Sequence, residues 1–345
     1  MFHRFLVVVF VLITLVVGAP TDTSAQASDS AVPPRTSWGA PNLQGVWDFR
    51  SITPMQRPEE LANKVFLTEE EASNLEQETL ARNENLLSRP AQRTEVTESV
   101  DRGEEGAPGF YNNFWLDRGT TIVETRRTSL IVDPLNGQVP PLTSVAAAKQ
   151  AAASAARRGV ASHEPTVGGW IEDLGTNGLQ LRCITGFNSG PPMTPGGYNN
   201  NVQLFQTPDY VVLLNEMNHN TRVISLDGRA PIDLPQWTGD SHGHWEGATL
   251  VVETANFLRE TSFLAGQTGA DLHLVERFTR VSPQTLMYEA TVNDSSVWTR
   301  PWTYQVPMQL NDQPLFEYAC HEGNYGLYNI LAGARVAEAA AEAVR

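Results

Sequence analysis

The chain has 345 residues, of which 41% are hydrophobic and 18% are charged, and its net charge is −15. This composition is apolar enough to fold, which excludes wholesale disorder, and the length fits one large domain or two modest ones. The acidic balance argues against nucleic acid or an anionic membrane surface as the main partner, because both require a basic footprint.

The first 27 residues have the features of an export signal. Arg4 supplies a positive start, residues 6–17 are almost wholly apolar, and Ala25-Gln26-Ala27 is a small-x-small cleavage pattern. An apolar run of about 12 residues is shorter than the roughly 20 that cross a bilayer. The sequence therefore predicts cleavage near Ala27, a periplasmic or secreted product and no membrane insertion afterwards, with an uncleaved anchor helix as the alternative.

After this signal, residues 28–40 are predicted to be a flexible lead-in, and residues 41–345 a single β-rich domain. The lead-in is rich in Ser, Pro and Gly, which favour irregular backbone. The domain opens on Gly45–Phe49, where apolar and polar residues alternate as they do in a half-buried strand.

Two helical insertions are expected in this domain, near residues 68–88 and 143–158. Thr68 and Glu71 have the spacing of a capping box, in which each side chain bonds the backbone N–H of the other residue. The second insertion is rich in alanine and stops before Gly159, a residue type that often follows a helix end. A short helix is also expected at residues 336–344.

Short alternating segments separated by turn residues dominate the rest of the chain, which predicts an antiparallel meander. The expected strands are Thr121–Glu124, Ser129–Val132, Tyr210–Leu214, Arg222–Leu226, Leu250–Glu253, His273–Thr279, Thr285–Val292 and Trp302–Val306. A hairpin turn is expected at Trp245–Ala248. The predicted fold class is mainly β, an antiparallel barrel or a two-sheet sandwich (calycin-like) with two or three peripheral helices.

The only cysteines are Cys183 and Cys320. In an exported protein two cysteines commonly pair, so a disulfide is expected. The alternative is that Cys320 is a nucleophile activated by the adjacent His321.

Several segments of the chain resemble a group of exported, β-rich bacterial proteins to which no activity is assigned. These segments are RTSLIVDPLNGQVPPLT, TRVISLDGR, GDSHGHWEGATLVVETANF, LVERFTRV, WTRPWT and YACHEGNYG. Separately, Gly45-Val46-Trp47 resembles the G-x-W start of lipocalin and other calycin barrels. That resemblance implies a barrel fold and does not assign an activity.

His242 and His244 are the clearest candidates for metal ligands. Residues two apart on a strand face the same side, so both imidazoles could bind one divalent ion. His219, His321 or a carboxylate such as Asp240 or Glu246 could supply a third ligand. The alternative is that both histidines are ordinary polar residues near a turn.

A second candidate site needs no metal. His244, His321 and His219 could act as general acids and bases, with Glu246 and Glu216 as supporting carboxylates. The prediction depends on the turns that carry these residues meeting at one barrel mouth.

Four more residues could bind the substrate at that mouth: Tyr325, Asn324, Trp245 and Trp302. Aromatic side chains with a polar group often line ligand sites, but they also fill β cores. The sequence contains no G-x-S-x-G elbow, P-loop or dinucleotide-binding glycine motif, which disfavours serine hydrolases and nucleotide-dependent enzymes.

The leading functional hypothesis is therefore an exported hydrolase or lyase/isomerase without a cofactor, acting on a small or oligomeric organic substrate in a barrel pocket. One alternative is a non-catalytic, calycin-like binder of an apolar ligand. The other is an enzyme that uses one divalent metal ion at His242 and His244. No nucleic acid partner is expected, and the oligomeric state is left open.

Overall fold

The computed structural model describes residues 33–88, 115–156, 158, 179–180, 182–258, 261 and 271–343. The predicted signal peptide, residues 1–27, and the first part of the lead-in lie outside these residues. The helices are α1 (Glu69–Ser88), α2 (Ser144–Ala156) and α3 (Gly326–Ala343). The strands are β1 (Gly45–Asp48), β2 (Ile131–Asp133), β3 (Asn201–Gln206), β4 (Tyr210–Asn215), β5 (Thr221–Ser225), β6 (Asp240–Glu246), β7 (Thr249–Ala255), β8 (His273–Arg280), β9 (Thr285–Asn293) and β10 (Trp302–Asn311).

Nine of these strands close into a barrel, in the order β1-β3-β4-β5-β6-β7-β8-β9-β10, and β1 pairs with β10 to complete the ring. The extra strand, β2, pairs with the part of β10 that β1 does not cover. Neighbours are antiparallel except β5 and β6, because a ring with an odd number of strands cannot alternate direction all the way round. The predicted mainly β fold with few peripheral helices is confirmed, and it is a barrel.

The barrel interior is filled by side chains. Alternate residues of β8, β9 and β10 point inward and are buried, as the period of two requires. The largest fully buried side chains include Trp47, Trp302, Tyr288, Tyr304 and Phe278. Aromatic residues bury 150–250 Å² each as a rule, so a few of them occupy most of the space inside a small barrel.

One barrel end is covered by residues 186–200, called the closing loop below. Met193 of this loop is fully buried in the core. The Tyr304 hydroxyl donates to the Met193 carbonyl at 2.6 Å, and the Met193 N–H donates to the Tyr288 hydroxyl at 3.0 Å. These two bonds satisfy the buried backbone of the loop and hold it inside the barrel.

Gly45 shows why the first strand needs a glycine. Its φ of +136° is one that residues with a Cβ rarely adopt, and an added Cβ would lie 2.8 Å from Leu310 Cδ1. Two residues later Trp47 is fully buried, and its Nε1 donates to the Leu43 carbonyl at 2.8 Å. The glycine of the G-x-W segment therefore allows β1 and β10 to pack closely.

Both predicted helix starts are present. The capping box at α1 is confirmed: the Glu71 N–H donates to Thr68 Oγ1 at 3.2 Å, and the Thr68 N–H donates to Glu71 Oε2 at 2.8 Å. At α2, Thr143 Oγ1 accepts from the Ala146 N–H at 3.2 Å. The third helix is longer than expected and begins at Gly326 rather than at residue 336.

The predicted strand Thr121–Glu124 is wrong, and Ser129–Val132 is replaced by β2, which begins later. The Ile122 N–H donates to Glu76 Oε1 and the Val123 N–H to Thr53 Oγ1, both at 3.0 Å. Side chains of other segments thus take the donors that a neighbouring strand would have paired. Apolar and polar residues do alternate in this segment, but the segment does not form a β-ladder with a neighbouring strand.

The predicted disulfide between Cys183 and Cys320 is confirmed, with a Cα–Cα distance of 5.8 Å. It joins positions separated by 137 residues. Because both sulfur atoms are bonded, Cys320 has no thiolate with which to act as a nucleophile. No helix among the described residues is long and apolar enough to cross a membrane.

We expect the native protein to contain no reactive thiol. We expect Cys183→Ala combined with Cys320→Ala to lower the free energy of unfolding by about 3–5 kcal/mol, because a cross-link over a long loop restricts the unfolded chain. Thiol titration and urea unfolding measure the two quantities. Two reactive thiols in the native wild type, or a double variant as stable as the wild type, would contradict the expectation.

Candidate functional site

A buried ion pair crosses the barrel interior between Arg222 on β5 and Glu276 on β8. The two side chains are 3% and 0% exposed. The pair is bidentate: Arg222 Nη1 donates to Glu276 Oε2 at 2.6 Å, and Nη2 donates to Oε1 at 2.9 Å. The Tyr288 hydroxyl donates to Glu276 Oε1 at 2.8 Å, so the pair is linked to the tyrosine that holds the closing loop.

The environment keeps Arg222 charged and the neighbouring phenols of Tyr288 and Tyr304 neutral at neutral pH. Burial acts to lower the pKa of Arg222, but the charge and hydrogen bonds of Glu276 outweigh it and the pKa is raised. Burial raises the pKa of Tyr288 and of Tyr304 well above their ordinary value. Both phenols therefore remain neutral hydrogen-bond donors, and the cluster anchors the closing loop.

The sequence prediction did not include this cluster, although a signal was present. Glu276 lies between Leu274 and Phe278 in the inward phase of β8, where an apolar residue is expected. A charge at that position indicates a buried partner on another strand. Only the closed ring shows that this partner is Arg222.

We expect Glu276→Gln to lower the free energy of unfolding by about 3–5 kcal/mol, because it leaves the Arg222 charge buried without a counter-charge. Adding Arg222→Met should restore most of the loss, since no buried charge then remains. Urea unfolding of the wild type, the single variant and the double variant tests this. A double variant no more stable than Glu276→Gln alone would rule the explanation out.

Among the residues predicted to be catalytic, Glu216 and His219 lie in the connection between β4 and β5. Glu216 is buried, and its Oε2 accepts from Asn201 Nδ2 at 2.8 Å. His219 is exposed and has a φ of +43°. The carboxylate is thus occupied by an amide of β3 rather than by the nearby imidazole.

His244 and Glu246 lie on the outer wall of β6. His244 Nε2 and Glu246 Oε1 are 3.3 Å apart, and the two side chains are 51% and 50% exposed. Arg277 Nη2 donates to Glu246 Oε2 at 2.7 Å. Arg277 first, and then His244, lowers the pKa of Glu246. This is a surface histidine–carboxylate pair with the carboxylate charged and oriented.

His242 and His244 face the same side of β6, as the i and i+2 spacing predicts. His242 Nε2 lies 2.8 Å from Asp240 Oδ2, which also accepts from the Ile232 N–H at 2.6 Å. Gly243 between them points inward, where an added Cβ would lie 2.8 Å from Leu226 Cδ2. Across the described part of the chain, no three His, Cys, Asp or Glu side chains are grouped so that they could hold a metal ion.

The barrel separates His219 from His244. β5 and β6 run parallel with Ser225 beside His242, so four residue steps along β5, from Thr221 to Ser225, and two along β6 separate His244 from the connection that carries His219. At about 3.3 Å per residue this is roughly 20 Å along the strands. These two imidazoles do not share a pocket.

His321 lies at the end that carries the closing loop, because its neighbour Cys320 is bonded to Cys183, three residues before that loop. Asn324, exposed beside it, donates from Nδ2 to Cys183 Sγ at 3.5 Å. Tyr325 is exposed. The disulfide therefore fixes the position of this polar segment, away from His244.

The two tryptophans predicted to bind substrate are packing residues in the structure. Trp302 is 0% exposed and lies in the core, with its ring centroid 5.7 Å from that of Trp298. Trp245 is partly buried and packs against the same core. Trp302 thus has no exposed surface for a ligand to contact.

A cleft of about 530 Å³ lies beside the barrel, under one side of α1, and is called the α1 cleft below. Four separate segments line it, together with Leu130: residues 51–55, one side of α1, Leu116 with Arg118 and Gly119, and residues 195–197 of the closing loop. Its volume is within the range of small-molecule sites, about 300–1,000 Å³. None of the histidines predicted to be functional lines it.

The lining of the α1 cleft combines an apolar floor with polar walls. Pro54, Met55 and Leu130 provide apolar surface, while Arg82 and Arg118 contribute the charges. The sequence did not predict this site. The sequence of α1 is typical of an ordinary charged surface helix, and the four segments come together only in the fold.

A second cleft of about 460 Å³ lies beside the N-terminal half of α1. Its charged residues are engaged with neighbours: Arg126 Nη1 lies 3.9 Å from Glu69 Oε2, and Gln309 Nε2 donates to Glu124 Oε1 at 2.7 Å. The lining of this cleft carries charges of both signs, unlike that of the α1 cleft.

No protein-family model, curated protein or solved structure matches the chain. The functional conclusion therefore depends on the site geometry alone.

Proposed function

We propose that this protein binds a small organic molecule in the α1 cleft and that the barrel is the rigid support of that site. The observation that carries the proposal is a concave site of about 530 Å³ in which apolar floor and polar walls meet. Most small-molecule sites have this combination, with the apolar surface contributing burial and the polar groups fixing orientation.

Backbone hydrogen bonds tie the walls of the cleft to one another. The Asp117 N–H donates to the Gly197 carbonyl at 2.8 Å, and Asn200 Nδ2 donates to the Asp117 carbonyl at 3.0 Å. On the other side, the Ile52 N–H donates to the Thr121 carbonyl at 2.9 Å. A site held in this way needs little ordering when a ligand binds, which favours affinity.

Because side chains fill the barrel interior, the expected position of the ligand is outside it. A calycin-like binder would hold an apolar ligand inside the barrel, where this chain places Trp47, Tyr288, Tyr304 and Met193. The α1 cleft lies outside that core, against α1 and the closing loop. The proposal therefore keeps the binding role and moves it from the interior to the barrel side.

We expect Leu86→Trp to abolish binding in the α1 cleft, because Leu86 lines it and the larger indole would occupy its space. Leu87→Trp is the matched control, since Leu87 is 59% exposed and does not line the cleft. Ligand-observed NMR with a mixed fragment library of acids, amides, polyols and aromatic alcohols measures the effect. Fragments that bind all three proteins equally, or no fragment that binds the wild type, would contradict the proposal.

The histidine–carboxylate pair on β6 supports a second candidate function, an exported acid–base enzyme of the hydrolase or lyase/isomerase type. The supporting observation is the 3.3 Å contact between His244 Nε2 and Glu246 Oε1, with Arg277 fixing the carboxylate. Histidine can take and give a proton near neutral pH, and a carboxylate behind it supports the charged form. In this proposal the substrate would approach the outer wall of the barrel.

For this second candidate we expect His244→Gln to reduce turnover by about 100-fold or more, the usual range for a general acid or base. The measurement is hydrolysis of a panel of nitrophenyl esters and glycosides. His273→Gln is the control, because His273 makes a comparable 3.4 Å contact with Glu253 on the same wall. Turnover that both variants retain, or a wild type that turns over no member of the panel, counts against an enzyme at β6.

We also propose that the protein functions in the periplasm or outside the cell. Support comes from the Cys183–Cys320 disulfide, since such bonds persist in oxidising compartments. The apolar N-terminal segment with its Ala25-Gln26-Ala27 pattern points the same way.

A further inference from the structure

We infer that the α1 cleft selects small organic acids, whose carboxylate would be held between Arg82 and Arg118. This inference rests on the proposed binding function and adds the chemical class of the ligand. Arg82 comes from α1 and Arg118 from residues 116–119, so two different walls of the cleft each present a guanidinium group. Arginine matches a carboxylate with paired N–H donors and stays charged at all ordinary pH values.

Both arginines are free of protein counter-ions. Neither forms an ion pair or side-chain hydrogen bond with the residues that the structure describes, and both side chains are solvent-accessible. Several other arginines of the described chain have carboxylate partners, as in Arg229–Asp227, Arg277–Glu246 and Arg300–Asp133. In a protein with a net charge of −15, two unpaired arginines in one cleft are a local reversal of sign.

The carboxylate closest in sequence to Arg118 is paired with a different arginine. Asp117 precedes Arg118, but both of its oxygens accept from Arg50 Nη1, at 2.7 and 2.6 Å. Hydrogen bonds and charge from Asp48 first, and then from Asp117, raise the pKa of Arg50. No Asp or Glu is among the described residues that line the α1 cleft. The charged side chains that line the cleft are therefore both positive, which favours an anionic ligand.

The rest of the lining indicates an organic rather than an inorganic anion. Met55, Leu116 and Leu130 present apolar surface beside the two guanidinium groups. A bare ion would leave this surface in water, whereas an aromatic or short aliphatic body would cover it. Gly197 of the lining presents no side chain, and an added Cβ there would lie at ordinary contact distance, 3.7 Å, from Leu116 Cδ2.

The test compares an acid with its neutral isostere. We expect benzoate to bind the wild type in an NMR titration and benzamide to bind at least tenfold more weakly. Arg82→Gln and Arg118→Gln should each weaken benzoate binding about tenfold, because each removes a charge-assisted donor, and leave benzamide unchanged. Raising the salt concentration should weaken benzoate binding in the wild type only.

Two controls separate the possible outcomes. Arg335→Gln removes one positive charge from an exposed position on α3 and should leave benzoate binding as in the wild type. Inorganic phosphate should bind no more tightly than benzoate. Arginine variants that bind benzoate normally, or phosphate that binds more tightly than benzoate, would overturn the organic-acid assignment.

The failure of this inference is distinguishable from failure of the proposed function. If neutral fragments bind in a manner that Leu86→Trp abolishes while the arginine variants have no effect, the cleft is a binding site and its selection for acids is wrong. If Leu86→Trp changes nothing for either acids or neutral fragments, both proposals fail together.

Discussion

The buried contact between Glu276 and Arg222 is the interaction on which the rest of the architecture depends. Glu276 accepts from the Tyr288 hydroxyl, and that hydroxyl accepts from the backbone of Met193. Through these two hydrogen bonds, the buried Glu276 carboxylate holds the closing loop in the barrel end. The same loop, through its Gly197 carbonyl, holds residues 116–119 in place as a wall of the α1 cleft. A charge pair in the barrel interior thus positions a site on its outside.

The distribution of charge separates the structural arginines from those of the proposed binding site. The charge of Arg222 is paired with that of Glu276, because an isolated charge in the core would be strongly destabilising. Arg50 is compensated at the surface by two carboxylates, and this leaves the neighbouring Arg118 without a partner. In an acidic protein, an anion binds more readily where the nearby carboxylates are paired with other groups. The α1 cleft meets that condition, and the wall around His244 and Glu246 instead combines both signs.

Local patterns in the sequence predicted local structure well. The capping box of Thr68 and Glu71 and the alternation in β8 to β10 depend on neighbours within a few residues, so a single segment contains the necessary information. The segment Thr121–Glu124 failed because its backbone donors are taken by Thr53 and Glu76, which are distant in sequence. Periodicity indicates which side chains share a face, but not which group will pair with the backbone.

The amino-acid sequence by itself determined most of the strands, the cap of α1, the acidic balance and, since the chain has only two cysteines, the choice of disulfide partners. Only the tertiary structure decided that the sheet closes with one parallel pair, that His219 and His244 lie at separate ends, and that Arg82 and Arg118 line one cleft. The physical reason is that alternation and capping are short-range constraints. Ring order and the meeting of distant segments depend on packing and hydrogen bonds that no single segment contains.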